Sequence, residues 1–227
     1  MRQLLPVPRD PVDPLEVYGE LPAASGRPGV RLNMIASLDG ATTVAGVSGG
    51  LGGAADHALF GVLRSLADVV LVAAGTVRAE GYGPSRVPVA VVTRSCNLDW
   101  NAPFFTAAVA RPLVVTAAAA PQEARARATE VADVIVAGRE RVELPAALDA
   151  LAERGFTAVL AEGGPTLNAQ LAAARLLDEL CLTVSPRLVG GGAKRILDGV
   201  AVPAELKLRL CSVCEDDGFL FLRLRAG

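Results

Sequence analysis

The feature that most constrains this chain is a repeated switch of period. Short unbroken apolar runs end in Gly, Thr or Ser and pass into stretches with helical spacing. VRLNMIAS (30–37) leads through a Gly-rich loop, DGATTVAGVSGGLGG (39–53), into AADHALFGVLRSLA (54–67), which places Leu59, Val62, Leu63 and Leu66 at helical spacing. DVVLVAAG (68–75), VPVAVVT (87–93), RPLVVTA (111–117), DVIVAG (133–138), FTAVLAEGG (156–164) and LDELCLTVSP (177–186) are further runs of the first kind. Strands covered on both faces read in this way. PQEARARATE (121–130), LPAALDALAERG (144–155) and PTLNAQLAAARL (165–176) read as helices, with Pro in a first turn and Gly as a C-terminal cap. Strands alternating with helices predict a three-layer α/β fold, a mainly parallel sheet with helices on both faces. The chain then changes character. ELKLRLCSVCEDDGFLFLRLR (205–225) alternates about a D-D-G turn, which predicts a C-terminal antiparallel hairpin at one sheet edge.

With 227 residues, 52% of them apolar, the chain can bury a sizeable core. Residues 1–28 are Pro-rich and weakly periodic, and are expected to form an N-terminal arm packed on the surface of a domain spanning 29–227. The net charge of −2, with Lys and Arg scattered, removes the electrostatic case for a nucleic-acid partner. No run reaches the roughly 18 apolar residues of a membrane span, and prolines interrupt the N-terminus where a signal peptide needs continuity. The expectation is a cytoplasmic protein with no membrane partner. Cys211 and Cys214 form a C-x-x-C, a spacing used by redox and zinc sites. They sit in a strand-like alternation with no second Cys pair or His cluster, so a structural role is favoured and no metal is expected.

Chemistry concentrates at the strand ends. In AEGGPTLNAQL (161–171) a strand ends in Gly163 and Gly164 and a helix starts at Pro165, Thr166 and Leu167. Unpaired amides at a helix start attract phosphate, and glycines let it approach; a plain strand-to-helix turn uses the same residues. The segment is neither a P-loop nor a G-x-G-x-x-G. Gly75 and Thr76 open a second such turn, and two of them on parallel strands suit a dinucleotide. A third strand ends in Thr93, Arg94 and Ser95, where Arg94 is either a solvated loop residue or a fork for an adenosine 2′-phosphate. Asp39 and Gly40 read as a turn pair, or as a carboxylate beside a loop that closes over substrate. The lone histidine, His57, lies on the polar side of its helix and reads as a surface residue, against a Ser-His-Asp hydrolase. The H-x-E and P-C-x-x-C of a zinc deaminase are absent.

Taken in order and spacing, N-M-I-A-S-L-D-G-A, G-V-S-G-G-L-G, G-T-V-R-A-E-x-Y-G-P and A-E-G-G-P-T-L resemble the reductase domain of the bifunctional riboflavin-biosynthesis deaminase/reductase. The resemblance is closer to stand-alone pyrimidine reductases of actinobacterial type, and covers about residues 30 to 225. It implies a dihydrofolate-reductase-like fold, usually dimeric, that uses NADPH to reduce a ribosylamino-pyrimidine phosphate, ribosyl becoming ribityl. It implies cofactor contacts at Ala36, Gly50, Thr76, Glu80, Thr93 and Arg94, and along Gly164 to Gln170, to which the reading of the strand ends adds Gly75, Ser95 and Gly163. Asn33, Ser48, Arg64 and Glu162 match substrate positions, although Arg64 is an ordinary helix residue by spacing alone. Asp39 matches the family's S-x-D-G acid, and Asp39 and Glu162 are the candidate proton-handling residues. Three positions depart from the usual pattern: Ala41 stands where many members carry Lys or Arg, Gly50 where an aromatic is common, and Glu80 where Asp is common. The fold resemblance and the changes at Ala41 and Gly50 keep reduction of a dihydropterin or dihydrofolate-like substrate in view, and non-catalytic NADP binding stands as a separate alternative.

Overall fold

The computed structural model describes residues 1–19, 21, 26–202 and 205–227. Its strands are β1 (Arg2–Leu5), β2 (Gly29–Ser37), β3 (Val69–Ala73), β4 (Val89–Val92), β5 (Leu113–Thr116), β6 (Asp133–Val136), β7 (Ala158–Ala161), β8 (Glu179–Ser185), β9 (Leu208–Asp216) and β10 (Phe219–Ala226). The helices are α1 (Pro14–Tyr18), α2 (Ala54–Ser65), α3 (Ala74–Glu80), α4 (Pro103–Thr106), α5 (Gln122–Val131), α6 (Leu144–Ala152) and α7 (Pro165–Ala173). One sheet runs in the order β1-β9-β10-β8-β2-β7-β3-β4-β5-β6. Pairing is parallel from β8 to β6, and antiparallel where β10 meets β8, β9 meets β10 and β1 meets β9.

The unbroken apolar runs are explained by burial on both sides. Val70 and Val72 of β3 face a core with Val17 of α1, Leu59 and Leu63 of α2, Val77 of α3, Phe104 of α4 and Ala128 of α5. Val69 and Leu71 face the other core, with Leu148 of α6 and Leu171 of α7. Truncating a fully buried leucine such as Leu71 to Ala would cost roughly 2–5 kcal/mol.

Topology positions the site. The chain runs outward through β3, β4, β5 and β6, then returns as β7 between β2 and β3. The register sets Val159 beside both Val30 and Val69. The carboxyl ends of β2, β7, β3 and β4 therefore stand side by side, the place where open α/β sheets bind ligands.

The hairpin forms as the D-D-G turn predicts. Asp217 and Gly218 have φ of 50° and 79°, the left-handed pair of a type I′ turn. Residues 1–18 add what sequence patterning did not anticipate. β1 extends the sheet with Gln3 opposite Cys214, and α1 buries Val17 and Tyr18. A buried charge cluster holds this segment down. The Glu179 carboxylate accepts from Arg31, Arg223 and Arg225. Arg31 also donates to the Tyr18 carbonyl at 2.7 Å, and Arg223 to the Val17 carbonyl. Burial alone would raise the Glu179 carboxyl, but together the three arginines hold it below its ordinary value.

Beyond the helices, β8, β9 and β10 carry an apolar stripe. Leu222 lies opposite Leu182 and Val213, and Leu220 opposite Val184, all of them only half-buried.

Candidate active site

A cleft of about 930 Å³ opens at the ends of β2, β7 and β3. Two glycines shape its floor. Gly163 has a φ of 93°, and a Cβ on Gly164 would lie 2.8 Å from Thr76 Oγ1. The tips of β7 and β3 close on each other there, with Ala73 N donating to Gly163 O at 2.8 Å. The first turn of α7 follows without a side-chain cap, leaving its amides free beside Thr166 and Leu167. Bare backbone, free amides and the Thr76 hydroxyl fit the phosphates of a dinucleotide, and a side chain at Gly164 would fill the cradle.

The other half of the cleft is organised around Glu162, which follows β7 and is almost wholly buried. Arg64 Nε donates to its Oε1 and Arg64 Nη2 to its Oε2, each at 2.7 Å. The Tyr82 hydroxyl adds a third donor, at 2.6 Å from Oε2. Burial and then the Glu162 carboxylate push the Tyr82 hydroxyl's pKa up, so it stays a donor. The Arg64 guanidinium lies 4.5 Å from the centre of the Phe60 ring and 5.5 Å from that of Tyr82, which fixes its plane.

Three loop clamps shape the mouth. Ser37 Oγ donates to Asp39 Oδ1 at 2.5 Å, while the amides of Val189 and Gly190 donate to the same carboxylate at 3.1 and 2.6 Å. The Ser37 hydroxyl first, and the two amides after it, pull Asp39 down to about 2. Thr42 N and Oγ1 donate to the Lys194 carbonyl at 3.1 and 2.9 Å. Ser48 N donates to Glu80 Oε1 at 2.8 Å, tying the Gly-rich loop to α3.

Of the residues singled out from sequence, Asn33, Ser48, Gly75, Thr76, Glu80, Glu162, Gly163, Gly164, Pro165, Thr166 and Leu167 share the cleft wall. Arg64 joins them through Glu162. Asp39 is exposed and engaged by loop amides, the geometry of an anchor rather than a proton donor. Ala36 is buried within β2. Gly50 packs against Val44, where a Cβ would lie 3.0 Å from that side chain, and Gln170 is exposed on α7. At the end of β4, Thr93 is buried and accepts from Cys96 N at 3.1 Å, while Arg94 and Ser95 are exposed outside the cleft wall. Cys214 is buried, Cys211 is half-buried at a β-bulge, and both thiols are free.

Sequence reasoning missed Asp56, Phe60, Tyr82 and Lys194, which also line the cleft, while His57, read as a surface residue, is exposed at its rim. The spacing 56, 60, 64 was a usable signal, one helical face bearing an acid, a ring and a cation. The G-V-S-G-G run at 46–50 has the spelling of a nucleophile elbow. It lies in a loop with a short 3-10 turn, not between strand and helix.

The family model described as the RibD C-terminal domain matches residues 28–220. The chain is 31% identical over 188 residues to the 2,5-diamino-6-ribosylamino-4(3H)-pyrimidinone 5′-phosphate reductase of Methanothermobacter thermautotrophicus, covering 78% of this chain and 86% of that one. Among solved structures, a pyrimidine reductase-like protein from Corynebacterium diphtheriae superposes with a TM-score of 0.83 at 27% identity, covering 94% of this chain and 98% of that one. Dihydrofolate reductase from Enterococcus faecalis shares the fold, with a TM-score of 0.51 at 11% identity over 88% of this chain and 96% of its own.

Proposed function

The chain belongs to the RibD C-terminal domain family, and we propose that it is an NADPH-dependent reductase acting on a ribosylamino-pyrimidine 5′-phosphate, turning ribosyl into ribityl. The observation that carries this reading is that a single cleft joins the glycine cradle at Gly163–Gly164 to the carboxylate of Glu162. A bound reduced nicotinamide would supply the hydride.

The protein's part is to bind, orient and stabilise. Gly75, Thr76, Glu80 and the Gly163–Leu167 turn hold the dinucleotide, with Ala36 and Gly50 bordering its path. Thr93, Arg94 and Ser95 meet its adenosine side, where the Arg94 guanidinium forks around a 2′-phosphate. Asn33, Ser48 and Arg64 position the ribosyl phosphate. Glu162, oriented by Arg64 and Tyr82, faces the C1′–N unit and stabilises positive charge gathering there before the hydride arrives. Asp39 acts indirectly, by tying the loop after β8 to the turn after β2.

Residues 29–227 are the reductase domain and 1–28 its arm. The working form is a homodimer joined through the apolar stripe of Leu182, Val184, Val213, Leu220 and Leu222, a reading supported by their half-exposure on neighbouring strands. The free thiols suit the reducing cytoplasm.

Turnover of purified protein tests the reading. NADPH should be consumed with a ribosylamino-pyrimidine 5′-phosphate, either diamino or deaminated, and the product should carry one added hydride and one added proton by mass. NADPH consumption with dihydrofolate alone would move the assignment to a pterin reductase. Tight NADPH binding with no turnover of either class would make the chain a binding protein.

A further inference from the structure

Every carboxylate on the cleft wall except one is already committed to a strong donor. Glu162 receives Arg64 and Tyr82, and Glu80 receives the Ser48 amide. Asp56 is the exception among the described residues. The Thr183 hydroxyl is its nearby donor, and the one titratable side chain acting on it is His57 of the same helical turn. The backbone makes room for this carboxyl, since a Cβ on Gly52 would lie 2.9 Å from Asp56 Oδ2. Asp56 shares the α2 face of Phe60 and Arg64, each step of four residues advancing roughly 6 Å along the axis. The helix face that ends in the Arg64–Glu162 pair therefore begins in an acid with a hydroxyl partner and, among the described residues, no ion pair.

Turning a ribosylamine into a ribitylamine consumes one hydride and one proton. The C1′–O4′ bond breaks and its electron pair stays on O4′. The nitrogen lone pair closes onto C1′, which then accepts a hydride from the reduced nicotinamide and returns that pair to nitrogen. O4′ must pick up the proton to become a hydroxyl. We propose that Asp56, facing the same cleft as Glu162, is the proton donor to O4′, an inference that rests on the reductase reading above. The carboxylate left behind is reprotonated from solvent at the open mouth before the next turnover. Asp56 is suited to this in a way that Asp39 is not. Burial, against smaller opposing effects of Thr183 and His57, raises its carboxyl above the ordinary aspartate value, whereas Asp39 is held near 2. The other charged groups on the cleft wall are Glu80, Glu162 and Lys194.

The experiment compares wild type, Asp56→Asn and Asp56→Glu in kcat across pH, alongside NADPH affinity by fluorescence and carboxyl titration of the unliganded wild type by carbon NMR. Asp56→Asn should lower kcat about 100-fold, as loss of a general acid does, and abolish the alkaline fall of the wild-type profile. NADPH affinity should stay within about twofold and Asp56→Glu should recover part of the rate. The Asp56 carboxyl should titrate above the ordinary aspartate range. A kcat for Asp56→Asn within about threefold of wild type, with the same pH profile, overturns the proposal and leaves the reductase reading standing. An Asp56 carboxyl that titrates at or below 3.8 overturns it even if the variants do not fold. Failure of wild type itself to reduce the pyrimidine substrate is the separate outcome that removes the reading beneath it.

Discussion

Arg64 and Glu162 lie 98 residues apart in sequence and meet in a two-point ion pair at 2.7 Å, with the Arg64 guanidinium stacked on Phe60. The pair joins α2 to the tip of β7, so it couples the packing of one helix to the geometry of the cleft. Glu162 is much the more buried partner, its side chain 3% exposed against 25% for Arg64. Removing Arg64 would leave a buried carboxylate with a single donor, Tyr82. Arg64→Met should therefore destabilise the fold by about 3 kcal/mol in urea denaturation, the low end for breaking a buried pair. Glu162→Gln should cost less stability but lose most of kcat/KM, because an amide cannot stabilise positive charge at C1′.

The glycine cradle makes a contrast between two positions. Gly164→Ala places a methyl group 2.8 Å from Thr76 Oγ1 and should weaken NADPH binding by roughly 1–3 kcal/mol, the usual cost of overpacking. Gly61 lies in the middle of α2 with nothing near its missing Cβ. Gly61→Ala should leave binding unchanged and stabilise the helix by about 0.5–1 kcal/mol. Fluorescence titration with NADPH and urea denaturation of both variants check the pair.

Strand ends were legible in the sequence because both-face burial writes itself as unbroken apolar runs ending in Gly or Thr. The turns at Gly75 and Gly163 could be found for that reason, and the D-D-G hairpin because its turn chemistry is local. Partnerships across the chain were not legible. Arg64 sits at an unremarkable helix position, and its role depends on a strand tip nearly a hundred residues later. Tyr82 lies in a Y-G-P run that reads as a turn. β1 is four residues long and is followed at once by Pro6, and its pairing with β9 spans almost the whole chain. Asp39 shows the converse. Its motif is conspicuous, yet its oxygens are taken up by amides of a loop some 150 residues away.

Asp39 gives a pH dependence with a definite sign. Its carboxyl is depressed from 3.8 to about 2 in the folded chain. The clamp is therefore at full strength above 3.8 and is lost as pH falls through about 2. Wild-type thermal stability should fall across this window more steeply than that of Asp39→Asn, which has no such titration. Parallel slopes for the two proteins would remove Asp39 as the clamp.

Arg94 stands at the end of β4, beside the β3 tip that carries Gly75 and Thr76. It should favour NADPH over NADH, and Arg94→Ala should narrow that preference by roughly 1.5–3 kcal/mol, the range for a hydrogen bond to a charged group. Calorimetry with both cofactors measures it, and equal wild-type affinities for the two would count against the assignment.

On the proposed reading, one cleft brings hydride donor and ribosyl acceptor together beside Glu162. A crystal structure of the protein with NADP⁺ and the ribityl product tests it most directly. Dinucleotide phosphates should lie against Gly164–Thr166, with the nicotinamide C4 within about 3.5 Å of C1′ and Glu162 on the ribityl side. Phosphates bound away from the α7 start, or a product that does not reach Glu162, would contradict it.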